Sequence, residues 1–210
     1  YPGMYYENLV INNSINLIGE GRISTVIDAK GKEDAVLITS DNVSVCEFTI
    51  QNSSDDGVEI ELYNDSCNIS YNIFLNNNDS GIDMWKSSNN KIIGNNFNDN
   101  RNAIGLHSAC NNNTISGNII KYSYWSILIY GSGNNISDNI IVNNGEGLYI
   151  TGLSYSTISG NNISDNSKGP GISGSFSNNN ISGNIISNND WFGIFLGSGS
   201  GNIITCNLIS

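Results

Sequence analysis

Asp55, Asp56, Glu59, Glu61, Asp79 and Asp83 crowd one short stretch, which is followed by Trp85 and the only histidine, His107. Carboxylates held close together repel. Either one keeps a proton at a raised pKa, or a cation sits between them. A set of hard oxygen donors suits Ca²⁺, with Asp55, Asp56, Glu59, Asp79 and Asp83 as candidate ligands. Trp85, Tyr130 and Tyr149 offer flat apolar faces with polar edges, a shape that stacks on sugar rings. With Glu61 they are the candidate ligand-binding residues. Histidine serves as acid or base near neutrality, so Glu59, Asp83 and His107 are the candidate catalytic groups. Outward acids and aromatics also occur merely as solvated surface or as strand-forming residues.

These residues take their places from a repeat. Ile69-Ser70-Tyr71-Asn72-Ile73-Phe74 returns as Ile92-Ile93-Gly94-Asn95-Asn96-Phe97, then as Ile115-Ser116-Gly117-Asn118-Ile119-Ile120. Further copies place Asn139, Asn161, Asn184 and Asn207 in the same slot, and an earlier copy has Phe48 there. The anchors lie 21 to 24 residues apart. A second asparagine usually follows five residues on, as at Asn77, Asn100, Asn144, Asn166 and Asn189. Then comes a small residue and an alternating strand, such as Gly57-Val58-Glu59-Ile60 or Gly81-Ile82-Asp83-Met84.

Strands this short bury nothing alone. Stacked coils about 4.8 Å apart pair each strand with its copy in the next coil, and alternation turns every second side chain inward. The pattern predicts an all-β fold, a right-handed single-stranded parallel β-helix of about 8–9 coils of about 23 residues. Asparagine tolerates the left-handed backbone of a tight bend, and stacked asparagines bond one another. The anchors are therefore expected at the corners. Outward positions of the strand after the small residue form two columns. One reads Leu37, Glu59, Asp83, Gly105, Leu128, Tyr149, Ser173, Phe195; the other reads Thr39, Glu61, Trp85, His107, Tyr130, Thr151, Ser175, Gly197. A leucine-rich repeat lacks its Leu-x-x-Leu-x-Leu signature here, and so dense a use of Asn and Gly excludes helical repeats.

The 210 residues read as one repeat domain, 1–210. Tyr1 resembles an interior start and Asn207–Ser210 stops inside a coil, so the chain is expected to be an excerpt lacking its N-terminal cap and C-terminal coils. Its ends are expected to pack end to end or on a neighbouring domain. A net charge of −11 argues against nucleic acid and anionic membrane surfaces as partners. No apolar run is long enough to span a bilayer, so no membrane insertion is expected. Asn-x-Ser/Thr triplets, at Asn42, Asn68, Asn112, Asn135 and Asn162 among others, are explained by composition in a chain with 39 asparagines. Copper sites want His, Met and Cys. One His, two Met and four scattered Cys make copper handling a poor fit, and free thiols are expected.

The Ile-Ser-Gly-Asn-x-Ile coils resemble the NosD-like, carbohydrate-binding-and-hydrolase (CASH) β-helix proteins of the pectin-lyase-like superfamily. The opening, Pro2-Gly3-Met4-Tyr5-Tyr6-Glu7-Asn8-Leu9-Val10-Ile11, is similar to the first coils of that family. The resemblance implies a cell-surface or extracellular protein, periplasmic in the alternative, with sugars bound along one sheet. Ser54-Asp55-Asp56-Gly57 is similar to the paired aspartates of polygalacturonase-type hydrolases. Their Gly-His-Gly and Arg-x-Lys signatures are absent. Two functions follow as expectations. One is a non-catalytic module that binds a polysaccharide or cell-envelope glycan, or builds the envelope. The other is a polysaccharide-processing enzyme, hydrolase or lyase, using the Glu59/Asp83/His107 face. Lys86 and Arg101 are the only bases near that face, which favours the first.

Overall fold

A computed structural model describes residues 1–210. Short strands recur in threes, and every third strand joins the same sheet. The result is a parallel solenoid with a ten-stranded sheet I and two nine-stranded sheets, II and III. Within a coil the chain runs through sheet I, then II, then III. All pairings are parallel and most join identical repeat positions. No helix is present, so none is long and apolar enough to cross a membrane.

Alternation produces the core as expected. Val45, Ile69, Ile92, Ile115, Ile136, Ile158 and Ile181 stack as one inward file of sheet III. Phe74 and Phe97 stack face to face in sheet I, with centroids 4.8 Å apart, the spacing of neighbouring coils. Each fully buried isoleucine contributes roughly 1.5–3 kcal/mol. One cluster of 38 buried apolar residues runs the length of the rod.

The corners carry hydrogen-bonded asparagine ladders. Asn95 donates its backbone N–H to Asn118 Oδ1 (2.9 Å), and its own Nδ2 to Ile69 O (2.8 Å). Asn118, Asn139 and Asn161 repeat the pattern. The ladder ends at Phe48, whose N–H donates to Asn72 Oδ1. Asn77, Asn100, Asn144 and Asn166 build the second expected ladder. A third, unexpected one joins Asn90, Asn113, Asn134, Asn179 and Asn202 at the remaining corner.

One expectation is corrected. The ladder asparagines are not the left-handed residues. Positive φ falls one residue earlier, at Tyr71, Gly94, Gly117, Asp138, Gly160, Gly183 and Cys206. That residue turns the corner, and the asparagine after it points inward to satisfy the backbone the turn leaves unpaired. Asn76, Asn89, Asn112, Asn143, Asn178 and Asn188 do turn corners, each just before a ladder residue.

Sheet II differs from the others in a way that builds a surface. Its middle strands are long: Ser80–Trp85, Asn102–His107, Trp125–Ile129, Glu146–Ser154 and Ile172–Ser177. The first outward column holds in register from Leu37 to Phe195. The second pairs Trp85 with His107 and Thr151 with Ser175, but a register shift pairs Ser175 with Ser198, not Gly197.

Asn118 tests the ladder. Asn118→Ala leaves the N–H of Asn95 unpaired in the interior and takes the extra donor from the strand carbonyl of Ile92. A loss of roughly 2–3 kcal/mol in urea unfolding is expected, against about 0.5 kcal/mol or less for Asn98→Ala on the outer face. Equal losses would refute the ladder's role.

Candidate functional site

The outer face of sheet II holds a cleft of about 400 Å³. Asp55, Asp56, Glu59, Asp79 and Asp83 line it together with Trp85, His107 and Trp125. Arg101, Asn102 and Leu128 complete it. Asp83 is buried although it belongs to an outward column, and its Oδ1 lies 2.8 Å from His107 Nε2. With the proton on Nε2, His107 donates to Asp83 and its Nδ1 is left as the basic nitrogen.

That contact depends on a missing side chain. Gly105 sits in register beside Asp83. A Cβ there would run into Asp83 Oδ1 and lie 2.8 Å from His107 Nε2. Trp85 stacks on His107 (centroids 4.5 Å apart), and Tyr130 lies beyond it at 6.2 Å. Trp85 keeps 43% of its surface exposed, so a face remains open to solvent.

The acids are arranged at electrostatic cost. Asp56 is buried, and its Oδ1 accepts the N–H of Ser80 at 2.8 Å. Burial and the nearby Asp83 charge outweigh that bond and push the Asp56 carboxyl up to about 9. Burial also lifts Glu59 to about 7, helped by a hydrogen bond with Asp34 and by the charges of Asp34, Asp83 and Asp55. Two carboxyl groups bond only when one holds a proton. Asp55 is raised as well, by burial and then by Asp34 and Asp79. Asp34, Asp55 and Asp56 bring one oxygen each within 4.8 Å of one another, a donor set for a hard cation. Arg101 is the base in the cleft, with Nη1 3.6 Å from Asp79 Oδ1.

The fold brings most of the sequence-predicted residues together. Asp55, Asp56, Glu59, Asp79, Asp83, Trp85 and His107 share the cleft. Tyr130 joins through its stack on His107. Glu61 is exposed and outside it, and Tyr149 lines a second cleft of about 380 Å³ further along the sheet. Asp34, Asn102 and Trp125 were missed. Asp34 comes from the coil before the acidic stretch. Asn102 and Trp125 are register partners at the start of their strands. The alternating pattern starts one residue or more after each, and offered no signal.

Residues 4–120 match the family described as right handed beta helix region, more than half of the chain. The chain belongs to the right-handed β-helix family. Residues 108–210 of this β-helix also match the family described as periplasmic copper-binding protein (NosD). Among solved structures it is similar to the A-module of the Azotobacter vinelandii mannuronan C-5 epimerase AlgE6, with a TM-score of 0.57 and 13% identity over 100% of this chain and 89% of that one. The Dettilon tailspike protein gives a TM-score of 0.59 and 18% identity, covering 98% of this chain and 54% of the tailspike. The DFA-IIIase of Arthrobacter chlorophenolicus A6 gives 0.51 and 13%, covering 84% and 60%. At such identities the likeness is one of fold. A search of curated proteins finds no match.

The copper named by the NosD description is poorly served by this β-helix. Its matched part, 108–210, contains neither histidine nor methionine. Its two cysteines stand apart, Cys110 buried and Cys206 exposed. Burial raises the Cys110 thiol, which disfavours the thiolate a soft metal needs. The acids of the cleft suit hard cations instead.

Two outcomes follow. Asp56 is protonated in the fold up to about 9, against 3.8 for a free carboxyl. Its contribution is complete below 3.8 and drains away as pH rises through about 9. Thermal unfolding in a chelator should show stability falling across that window, and Asp56→Asn, which keeps the acceptor for Ser80, should flatten the fall. An unchanged slope overturns the assignment. Gly105→Ala should remove the exchange-protected His107 Nε2–H signal from nitrogen-edited spectra with little change in melting; its persistence would show that Asp83 does not hold the ring.

Proposed function

We propose that the outer face of sheet II binds a polysaccharide or cell-envelope glycan, and that the chain is a non-catalytic module of the cell surface or extracellular space, or of the periplasm. The observation that carries this reading is the Trp85–His107–Tyr130 stack, with Trp85 open to solvent beside a polar cleft. Flat rings next to hydrogen-bonding groups match a sugar, which has apolar C–H faces and a hydroxyl rim. A calcium ion on Asp34, Asp55 and Asp56 belongs to the same reading, since it offsets the burial and the neighbouring charge that raise Asp55 and Asp56. The fold neighbours are consistent with a carbohydrate role, as an epimerase of mannuronan is among them.

The Asp83–His107 contact favours a second reading, a polysaccharide-processing hydrolase or lyase. Glu59, raised to about 7, is suited to giving a proton, and the His107–Asp83 pair to taking one. Hydrolysis needs both: one group protonates the departing oxygen and the other takes a proton from water.

A glycan array on the purified chain, with and without Ca²⁺, tests both. Binding is expected, weakened roughly tenfold or more by Trp85→Ala and by Asp83→Ala. Silence towards every glycan overturns the binding role and leaves a structural rod. Release of reducing ends or unsaturated products, lost in Glu59→Gln and His107→Ala, would establish the enzyme instead.

A further inference from the structure

One side-chain oxygen of the His107 cleft has no donor. Asn102, which lines the cleft, is 7% exposed. Its Nδ2 donates to Asp79 Oδ1 at 3.1 Å and to Ser80 Oγ at 3.4 Å, so the carboxamide stands among the acids. Its Oδ1 accepts from nothing. The ladder asparagines differ: Asn95, Asn118 and Asn139 each accept a backbone N–H of the coil before. A buried acceptor without a donor is costly and rare. A donor from outside the chain removes that cost.

A second group of acceptors stands two coil steps away on the same column. Ser80 is in register with Asn102, and its N–H donates to Asp56 Oδ1 in the coil before. The N–H of Asp56 donates in turn to Asp34 Oδ1 at 3.0 Å. Asp34, Asp55 and Asp56 hold one oxygen each within 4.8 Å of one another, and Asp55 is exposed. At about 4.8 Å per coil the two groups are roughly 10 Å apart. Calcium accounts for the triad and leaves Asn102 unexplained. A primary ammonium has three donors and no acceptor, so it suits both groups. Five acids against Arg101 draw a cation into the cleft. Arg101 meets Asp79 at 3.6 Å in an exposed pair, a contact worth little. Trp125, in register with Asn102, adds an indole ring to the lining, and such rings attract ammonium groups and their methylene stems.

We infer that this side of the cleft binds a linear aliphatic polyamine, with one terminal ammonium among Asp34, Asp55 and Asp56 and the other at Asn102 Oδ1 beside Asp79. The inference goes beyond the glycan reading. The ligand is charged, it uses Asp34 and Asn102, and it needs neither Trp85 nor Tyr130. The register between coils fixes the span, so a diamine too short for two coil steps reaches one group only.

Calorimetric titration of the whole chain with spermidine, putrescine and butylamine, in calcium-free buffer at low salt, tests the site. Spermidine should bind one to one, roughly tenfold or more tighter than the shorter putrescine. Asp55→Asn should weaken both. Asn102→Leu should weaken spermidine roughly tenfold and leave putrescine unchanged. Asn102→Asp keeps an acceptor there and adds charge; it should tighten spermidine, which separates loss of the acceptor from loss of fold. Asp190→Asn removes an exposed acid outside the cleft and should change nothing. A loss there as large as in Asp55→Asn would reduce the effect to the net charge of −11 and overturn the site. Equal affinity for spermidine and putrescine overturns the two-point span. Calcium titrated in place of the amines should ignore Asn102→Leu; a loss matching that of spermidine assigns the whole site to the metal and overturns the polyamine. Silence of every amine overturns the proposal and leaves the glycan reading standing, since the glycan array reads that separately.

Discussion

The fold depends on the bond between one coil's corner backbone and the next coil's asparagine. Three tight corners per coil leave backbone N–H and C=O groups pointing inward, where no water reaches them. The sheets cannot satisfy the corner N–H groups, because a corner is where strand pairing stops, whereas the amide's own donors find strand carbonyls such as that of Ile92. A buried carboxamide can, since it accepts with one end and donates with the other. Asn118 does both at once, accepting from Asn95 and donating to Ile92. A side chain one carbon longer would displace the ladder, and the shorter Ser156 accepts the N–H of Asn134 but donates only within its own coil. With this condition met, the coils stay in register and the inward isoleucines stack into one core.

The same regularity frees the outer surface. Inward and corner positions are constrained at every coil, but an outward residue need only tolerate its neighbours one coil above and below. Sheet II uses that freedom. Its long middle strands widen the face, and its early coils hold carboxyl groups that repel one another. Asp56 and Glu59 can sit there because the asparagine ladders hold the corners around them, and Asp56 itself gains a bond by accepting the N–H of Ser80. The Asp83–His107 contact is made by subtraction, with Gly105 clearing the space a repeat side chain would fill.

The sequence showed the scaffold more fully than the site. Asn72, Asn95 and Asn118 recur so evenly that coil length, strand order and inward files were all legible. The third ladder was not, because Cys67 and Ser156 interrupt it and its loops vary in composition. The left-handed role was placed one residue late. Gly94, Tyr71 and Asp138 share a backbone shape but not a side-chain type, so residue identity hides it. Most of the cleft was visible as departures from the repeat. Asp34 was not, since loops around the first coils follow no repeat against which it could stand out. Asn102 and Trp125 face the cleft from strand starts, where the alternation of side chains has not yet begun.

The asparagine ladders also give the rod a direction. Each ladder asparagine donates its backbone N–H to the coil that follows and its Nδ2 to a carbonyl of the coil before. The two ends of any stretch of coils are therefore chemically unlike: the N-terminal end presents carboxamide acceptors and the C-terminal end backbone donors. Tension along the axis meets these bonds one coil at a time and peels the rod from an end. Shear across the sheets loads many parallel bonds together. Such a solid is weak lengthwise and strong sideways, a grain set by the orientation of one small side chain.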